Sequence, residues 1–220
     1  MKTALLFLLA AALSGVCPAA AETVNFDAMP VDRPPQGFSI ALTGGGPTPV
    51  WVVKAAPDSA SGKAVAQTSA IAADYRFPLL LRDGVTARDL DLSVRFLPLG
   101  GSIDRAAGLV WRYRDASTYY LVRANALEDN VVTYKVENGR RIDLPVRGRG
   151  HTYGASAPMT KNGWNTLAVR VRGDVFSVSL NGVALYDVED RTFPDAGGIG
   201  LWTKADSVTM FDDLTWESLP

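Results

Sequence analysis

Residues 165–188 read NTLAVRVRGDVFSVSLNGVALYDV, and this stretch decides the fold class. Apolar and polar side chains alternate with period two through Leu167–Arg172 and again through Phe176–Leu180, which is the pattern of half-buried β-strands. Asn181-Gly182 follows the second run, and this dipeptide supplies the two positive φ angles of a type I′ hairpin turn. Gly173-Asp174 indicates another tight turn. The stretch therefore predicts consecutive antiparallel strands.

The same pattern continues along the chain. Leu90–Phe96 alternates in the same way, and Asn138-Gly139 separates two further apolar runs. Outside the N-terminal segment, no window carries a sustained helical stripe. The predicted strands lie near 37–42, 50–55, 64–68, 75–81, 90–97, 106–113, 118–125, 131–136, 140–144, 165–172, 175–180, 183–187, 198–203 and 207–217, with irregular loops at 43–49, 98–105 and 145–163. So many strands exceed one flat sheet and predict an all-β sandwich of two antiparallel sheets.

Composition excludes several classes of protein. The chain has 220 residues, of which 47% are hydrophobic, and 22 basic residues balance 23 acidic ones. This is too apolar for a disordered chain and too close to neutral for an electrostatic nucleic-acid binder. A single Cys and a single His exclude thiol-rich or histidine-rich metal sites. We therefore expect no nucleic-acid partner.

The N-terminal segment predicts export. Residues 1–21 combine Lys2, the apolar run Ala4–Leu13 and the cleavage motif Ala19–Ala21, as in a signal peptide. The run is too short to span a bilayer, so no transmembrane segment is expected. Cleavage after Ala21 removes Cys17 and leaves residues 22–220 as one domain in the periplasm or outside the cell. Lipidation of Cys17 is disfavoured because Val16, not a small residue, precedes it.

A set of short motifs indicates a particular kind of sandwich. In chain order they are Asn25-Phe26-Asp27, Gly37-Phe38, AGLVWRYRD (107–115), YYLVRANA (119–126), YKVENG (134–139), WNTL (164–167), LNG (180–182), GIGLWT (198–203) and FDDL (211–214). Together they resemble a concanavalin A-like lectin/glucanase jelly roll of the laminin-G and 3-keto-disaccharide-hydrolase-domain type. The resemblance covers most of the mature chain. It implies a jelly-roll fold and carbohydrate as the ligand class, although fold alone does not fix function.

The resemblance also implies a structural Ca²⁺ where the two chain termini meet. Asp27 near the start and Asp212 and Asp213 near the end are placed for such a site, and hard oxygen ligands suit the ion. An Asp pair that caps a strand edge or is solvated is the alternative.

The acidic residues argue against glucanase-type catalysis. Retaining cleavage needs two carboxyl groups about 5 Å apart, but no Glu-x-Asp-x-x-Glu pattern occurs and the Glu residues are widely spaced. Gly-x-Ser-x-Gly is also absent. A hydrolase or lyase acting on 3-keto-glycosides stays open as an alternative, since one base and one cation could suffice. Whether the chain is an enzyme is left undecided, with binding favoured.

Aromatic and basic residues supply the candidate ligand site. Alternation places Leu109, Trp111 and Tyr113 on the inner side of their strand, while Val110, Arg112 and Arg114 point outwards. Sugars stack on aromatic rings, and Arg and Asn bind hydroxyl groups. The predicted ligand-binding set is Arg112, Arg123, Asn125, Trp202 and His151. The alternative is that the aromatics form core and the charges a solvated face.

The sequence therefore predicts an exported carbohydrate-binding or carbohydrate-associated β-sandwich module. An envelope domain that binds other proteins is the non-catalytic alternative. The sequence does not set the sugar or the oligomeric state.

Overall fold

The hairpins predicted from Asn-Gly turns are present. In the computed structural model, which describes residues 20–56 and 62–220, Asn181 and Gly182 have φ angles of 52° and 78°. Asn138 and Gly139 have φ angles of 51° and 76°. Two successive positive φ angles define the type I′ turn, whose twist matches that of the flanking strands. The two Asn-Gly dipeptides therefore close hairpins as expected.

Sixteen strands and no helices occur in the described residues. They are β1 (Glu22–Val24), β2 (Phe38–Gly44), β3 (Trp51–Ala55), β4 (Lys63–Gln67), β5 (Arg76–Arg82), β6 (Leu90–Gly100), β7 (Ala106–Asp115), β8 (Thr118–Asn125), β9 (Asn130–Glu137), β10 (Arg140–Asp143), β11 (Ala155–Ser156), β12 (Asn165–Arg172), β13 (Val175–Leu180), β14 (Val183–Glu189), β15 (Gly198–Trp202) and β16 (Val208–Ser218). Fourteen of them match the predicted strands to within a few residues. The two very short strands, β1 and β11, were not predicted.

The strands form two antiparallel sheets of eight. The first sheet has the order β14-β13-β12-β6-β16-β4-β3, with β1 paired beside β16. The second has the order β10-β9-β8-β7-β15-β5-β2, with β11 paired beside β9. The predicted all-β, two-sheet jelly-roll sandwich is therefore confirmed.

The main core lies between the two sheets. Leu92, Val94 and Phe96 of β6 face Leu109 and Trp111 of β7, and all five are buried. The Trp111 ring stacks on Tyr120 at 5.7 Å and meets Phe176 edge-on at 5.2 Å. Such aromatic pairs add to the stabilisation from burial. The assignment of Leu109 and Trp111 to the core was correct.

A β-bulge corrects the predicted alternation along β7. Arg112 has a φ of 48°, and the pairing of β7 shifts between Trp111 and Asp115. The extra residue reverses the side on which the following side chains lie. Tyr113 therefore packs on the outer side of the second sheet. The prediction that it lies on the inner side with Trp111 was wrong. Gly197 packs against this bulge, where a Cβ would lie 2.5 Å from the Arg112 carbonyl carbon.

The predicted signal peptide falls mostly outside the described residues. Strand β1 begins at Glu22, the residue that follows the predicted cleavage site after Ala21. Export therefore stays a prediction. In residues 20–56 and 62–220, no helix is long and apolar enough to cross a membrane.

Candidate functional site on the outer side of the second sheet

The outer side of the second sheet carries a buried layer of aromatic rings. Phe77, Tyr119, Tyr134 and Trp202 lie here, facing away from the first sheet, and we call them the aromatic floor. The Phe77 and Trp202 rings are 5.3 Å apart. Gly108 lets Trp202 lie flat on the sheet, because a Cβ at this position would be 3.2 Å from the indole ring.

Curvature of the sheet closes this face. The Tyr75 hydroxyl, just before β5, donates to the carbonyl of Gly139 in the β9–β10 turn and accepts from the Arg141 amide at 3.2 Å. The Arg141 guanidinium lies 4.5 Å from the Tyr134 ring centroid, 4.9 Å from Phe77 and 5.7 Å from Trp202. Because four strands lie between β10 and β5 in the sheet, these contacts require a strongly curled sheet. Arg141 covers the aromatic floor.

A charged network adjoins the aromatic floor at Arg123. Its guanidinium donates to Glu128 Oε2 at 2.9 Å and to Asn130 Oδ1 at 2.6 Å, and it lies 3.8 Å from Asp104. Arg123 is 1% exposed, whereas the Glu128 side chain is 41% exposed. The same guanidinium lies 5.9 Å from the Tyr134 centroid, which is therefore flanked by two arginines. The network joins the buried floor to solvent through Glu128.

Asn125 and Lys204 complete this network. Asn125 Nδ2 lies 2.9 Å from Asp104 Oδ1 and 3.0 Å from Glu128 Oε1, so it donates to two carboxylates at once. Lys204 Nζ donates to Asp104 Oδ2 at 2.6 Å and to Asp74 at 2.7 Å. Both Asp104 oxygens are therefore used inside the protein. Three cations, counting Arg123, Lys204 and Arg141, lie among three carboxylates.

The pKa shifts follow from these contacts. Burial would raise the pKa of the Glu128 carboxyl, but the hydrogen bonds and charge of Arg123 outweigh it and lower the pKa. A hydrogen bond from Lys204 lowers the pKa of Asp74. Burial raises the pKa of the Tyr134 hydroxyl despite the two neighbouring arginines. Glu128 is thus ionised at neutral pH and accepts hydrogen bonds.

The exposed part of this region is a small patch that we call the tyrosine rim. It consists of Tyr75, Arg141, Tyr153, Glu128 and Asn130. The Tyr75 and Tyr153 side chains are 48% and 44% exposed. Tyr153 meets Tyr134 edge-on at 6.1 Å, and its ring lies 5.8 Å from the Arg123 guanidinium. In the described residues, no carboxylate lies within ion-pairing distance of Arg141, so its guanidinium is not neutralised by direct contact. The rim offers aromatic surface, donors and acceptors together.

Three of the five predicted ligand residues lie on this side of the second sheet. Arg123 and Trp202 pair with Gly108 from its two sides, and Asn125 joins the Arg123 network. His151 is solvent-exposed in the loop that follows β10, where its Nδ1 lies 3.1 Å from Asp143 at the end of that strand. Trp202, Arg123 and Asn125 are nearly inaccessible, so they would support a ligand from beneath.

Arg112 lies elsewhere. Its guanidinium reaches three carbonyl oxygens, those of Arg88 at 3.1 Å, Phe193 at 2.9 Å and Gly173 at 2.5 Å, and its side chain is 1% exposed. It also lies 3.4 Å from Asp89. The bulge at Arg112 turns this side chain into the end of the sandwich. Its donors are used in holding three loops together, so it does not join the other predicted ligand residues.

Two of the three predicted calcium ligands, Asp212 and Asp213, face a cation. The termini do meet, since Val24 of β1 pairs with Leu214 of β16. Arg95, however, lies 3.2 Å from Asp213 and 3.8 Å from Asp212. Lys63 donates to the Asp27 carbonyl at 2.6 Å. The described part of the chain holds no group of three or more acidic, His or Cys side chains suited to a metal. The predicted calcium site therefore stays a prediction.

The first sheet carries a shallow groove on its own outer side. The groove has a volume of about 470 Å³ and is lined mostly by small side chains, including Ser93, Ala168 and Ser179. In its charged wall, Arg170 binds Asp91 through two hydrogen bonds of 2.6 and 2.7 Å, and Glu217 also lines the groove. No aromatic ring lines it. The groove is open, but the side chains typical of sugar binding lie on the other sheet.

The sequence analysis did not identify Arg141, Tyr75, Asp104 or Glu128 as site residues. Glu128 lies in the β8–β9 connection. Arg141 and Tyr75 meet only because the sheet curls, and no local pattern encodes that curvature. One signal was available: Arg123 and Asn125 lie two residues apart on the same side of β8, and Glu128 follows in the β8–β9 turn.

The fold places the chain in the class of jelly-roll β-sandwiches. It is similar to the carbohydrate-binding module CBM66 from Bacillus subtilis, with 22% identity, a TM-score of 0.61, and coverage of 83% of this chain and 96% of that one. It is also similar to domain 4 of a GH43 extracellular arabinanase from Geobacillus stearothermophilus in complex with arabinotriose, with 14% identity, a TM-score of 0.56, and 91% and 93% coverage.

A third solved structure with this fold is a Bacillus subtilis protein of unknown function described as galectin-like. It has 9% identity and a TM-score of 0.51, and the match covers 82% of this chain and 89% of that one. No protein-family model and no curated protein matches the chain. At these identities the comparisons establish the sandwich fold itself.

Proposed function

We propose that the chain is an exported carbohydrate-binding module that holds a sugar on the tyrosine rim. Two of the similar structures support the ligand class, one as a carbohydrate-binding module and the other as a domain in complex with arabinotriose. The signal-peptide pattern of residues 1–21 supports export to the periplasm or the cell exterior.

The observation that carries this proposal is the link between Arg141 and two exposed tyrosines. The Tyr75 hydroxyl contacts the Arg141 backbone directly, and Tyr153 packs on Tyr134, whose ring contacts the Arg141 guanidinium. The apolar C–H faces of a sugar ring stack on such phenol rings. The guanidinium would donate to sugar hydroxyl groups, and Glu128 would accept from them.

The electrostatics favour binding over acid–base catalysis. Asp104 and Glu128 both accept from Asn125 Nδ2, so the two carboxylates share one neighbour. A retaining enzyme needs one of the two protonated, yet Arg123 lowers the pKa of Glu128. The Asp104 side chain is 2% exposed and bound to Lys204, which leaves no access for a substrate.

The direct test is a sugar-binding screen with a pair of matched variants. An oligosaccharide panel that includes arabinotriose would be screened by affinity electrophoresis, with calcium and with EDTA, and hits would be measured by calorimetry. Arg141→Ala should weaken binding about tenfold or more, because it removes the rim cation. Arg140→Ala changes the exposed residue that precedes Arg141 in β10, and it should leave affinity unchanged.

Binding by neither the wild-type protein nor any variant, in calcium or EDTA, would reject the proposal. Capture of an envelope protein in that case would favour the protein-interaction alternative. Loss of affinity in EDTA would support the predicted calcium.

The Asp104 and Glu128 carboxylates, which share Asn125 as a donor, leave open that the chain is an enzyme of the 3-keto-disaccharide hydrolase type. Incubation with 3-keto-disaccharides and product analysis tests it. Glycosidic cleavage that disappears in Glu128→Gln would establish the enzyme and overturn a purely binding role. Unchanged substrate after long incubation would exclude this alternative.

A further inference from the structure

Three arginine side chains are almost completely buried, and they differ in what surrounds them. Arg76, Arg112 and Arg123 are between 0% and 1% exposed. Arg112 donates to three carbonyl oxygens and also contacts Asp89, while Arg123 pairs with Glu128 and Asp104. A buried guanidinium is retained in proteins when it is paired and hydrogen-bonded in this way.

Arg76 lacks this compensation. Its single hydrogen bond runs from Nη1 to the Gly45 carbonyl at 3.2 Å. Nε and Nη2 are buried and have no hydrogen-bond partner in the described residues. No carboxylate of residues 20–56 and 62–220 lies within ion-pairing distance. Burial lowers the pKa of Arg76, with no neighbouring acid to oppose it.

The cover over Arg76 is thin and made of glycine. Gly44, Gly45 and Gly46 are all exposed, and a Cβ on Gly46 would lie 2.9 Å from Arg76 Nη1. Gly44 and Gly46 have φ angles of 87° and 103°, which glycine adopts without strain. Nε and Nη2 have almost no solvent-accessible surface, so a ligand reaches them only when the exposed glycine loop moves aside. Thr203 Oγ1 is another buried polar atom without a hydrogen-bond partner in the described residues. Thr203 follows β15, and its amide donates to the carbonyl of Pro78 in β5.

We propose that Arg76 is the binding site for a small monovalent anion beneath the Gly44–Gly46 loop. Nε and Nη2 form one side of the planar guanidinium, which donates two parallel hydrogen bonds to a carboxylate group or two converging ones to a halide. The anion would supply the missing negative charge. This site is independent of the proposed sugar binding, although Tyr75 of the tyrosine rim is the adjacent residue.

Exchange of anions at constant ionic strength tests this site. The melting temperature of the wild-type protein would be followed while sodium gluconate, whose anion is too large for the site, is replaced by chloride, bromide or formate. Saturation to about ten times the dissociation constant should raise Tm by about 4 °C. Arg76→Met should lose this response. Arg82→Met, which removes a half-buried cation from the same strand, should keep it.

Crystals of the wild-type protein soaked in bromide give a readout that does not depend on the variant folding. An anomalous peak within hydrogen-bond distance of Arg76 Nε and Nη2 is expected. A wild-type Tm that ignores every anion, an unchanged response in Arg76→Met, or a bromide soak without that peak would each overturn the proposal.

Discussion

The outer sides of the two sheets differ in composition and in exposure. On the first sheet, Ser93, Ala168 and Ser179 line an open groove, and Arg170 is neutralised by Asp91. On the second sheet, the four rings of the aromatic floor are buried beneath Arg141 and the edge of the sheet. The outer side of the second sheet is thus covered by a layer of buried rings, whereas the first sheet has on its outer side a small buried cluster that includes Ala66 and Met210, beside the open groove.

The sequence pattern of the strands explains this difference. Strand β12 alternates strictly between apolar and polar residues, so one of its sides faces solvent. Strand β8 is buried at almost every position, including the consecutive Tyr119 and Tyr120. Continuous apolar character therefore marks the strands whose second side is also covered, and the site that we propose lies at the rim of that cover.

Trp202→Ala should produce the largest loss of stability, because it removes a fully buried indole from the aromatic floor. We expect a loss of about 3–5 kcal/mol in the free energy of unfolding, measured by urea denaturation. Ser177→Ala in the groove should change it by less than about 0.5 kcal/mol. Equal effects of the two substitutions would show that the outer sides are not packed differently.

Gly108→Ala tests how closely Trp202 packs on the sheet. An added Cβ would lie 2.8 Å from the Val122 carbonyl and 3.2 Å from the indole, and overpacking of this kind costs about 1–3 kcal/mol. Gly100→Ala is the matched control in the first sheet, where the nearest atom would be 3.6 Å away. Urea denaturation of both variants is the measurement. A Gly108→Ala protein as stable as Gly100→Ala would contradict the described packing.

Asp206→Ala addresses the loop that carries Asp104. The Asp206 carboxylate accepts hydrogen bonds from the amides of Ser102, Ile103 and Asp104. Burial opposes ionisation, but these hydrogen bonds prevail and lower the pKa of Asp206 to about 2. Relative to an ordinary Asp, this stabilises the folded state by about 2 kcal/mol at neutral pH.

The pH dependence follows from the sign of that shift. Since the folded-state pKa is lowered, the contribution is complete above about pH 5 and is lost as the pH falls towards 2. The difference in unfolding free energy between the wild-type protein and Asp206→Ala should therefore shrink over this range. A difference that grows with acidity would contradict the assignment.

Arg170→Ala should have the smallest effect. Its side chain is 57% exposed and pairs with Asp91 at the groove wall. Exposed ion pairs contribute about 0.2–1 kcal/mol, and added salt weakens them. Denaturation at low and high salt measures the loss. A salt-independent cost well above 1 kcal/mol would mean that the groove wall supports the fold.

The sequence predicted the two-sheet sandwich well, because strict alternation and Asn-Gly turns are local signals. It failed at Tyr113, where the bulge at Arg112 depends on close packing by Gly197 from a distant strand. Strands β1 and β11 were missed because strands of two or three residues are too short to show an alternating pattern.

The site was predicted in part for a similar reason. Arg123, Asn125 and Trp202 share one side of the sheet, as period two requires. Tyr75 and Arg141 come together only through curvature of the whole sheet, and Arg112 was diverted by its bulge. Side-chain direction was therefore predictable where no bulge interrupts the strand, whereas contacts between distant strands of the sheet were not.

The most direct test of the proposed sugar site is calorimetry with one sugar that the wild-type protein binds, using two variants. Tyr153→Ala removes an exposed ring from the tyrosine rim, and Ser179→Arg fills the groove of the first sheet. We predict that Tyr153→Ala weakens binding about tenfold or more and that Ser179→Arg binds like the wild type. Unchanged affinity in Tyr153→Ala together with lost affinity in Ser179→Arg would contradict the proposal and place the sugar in the groove.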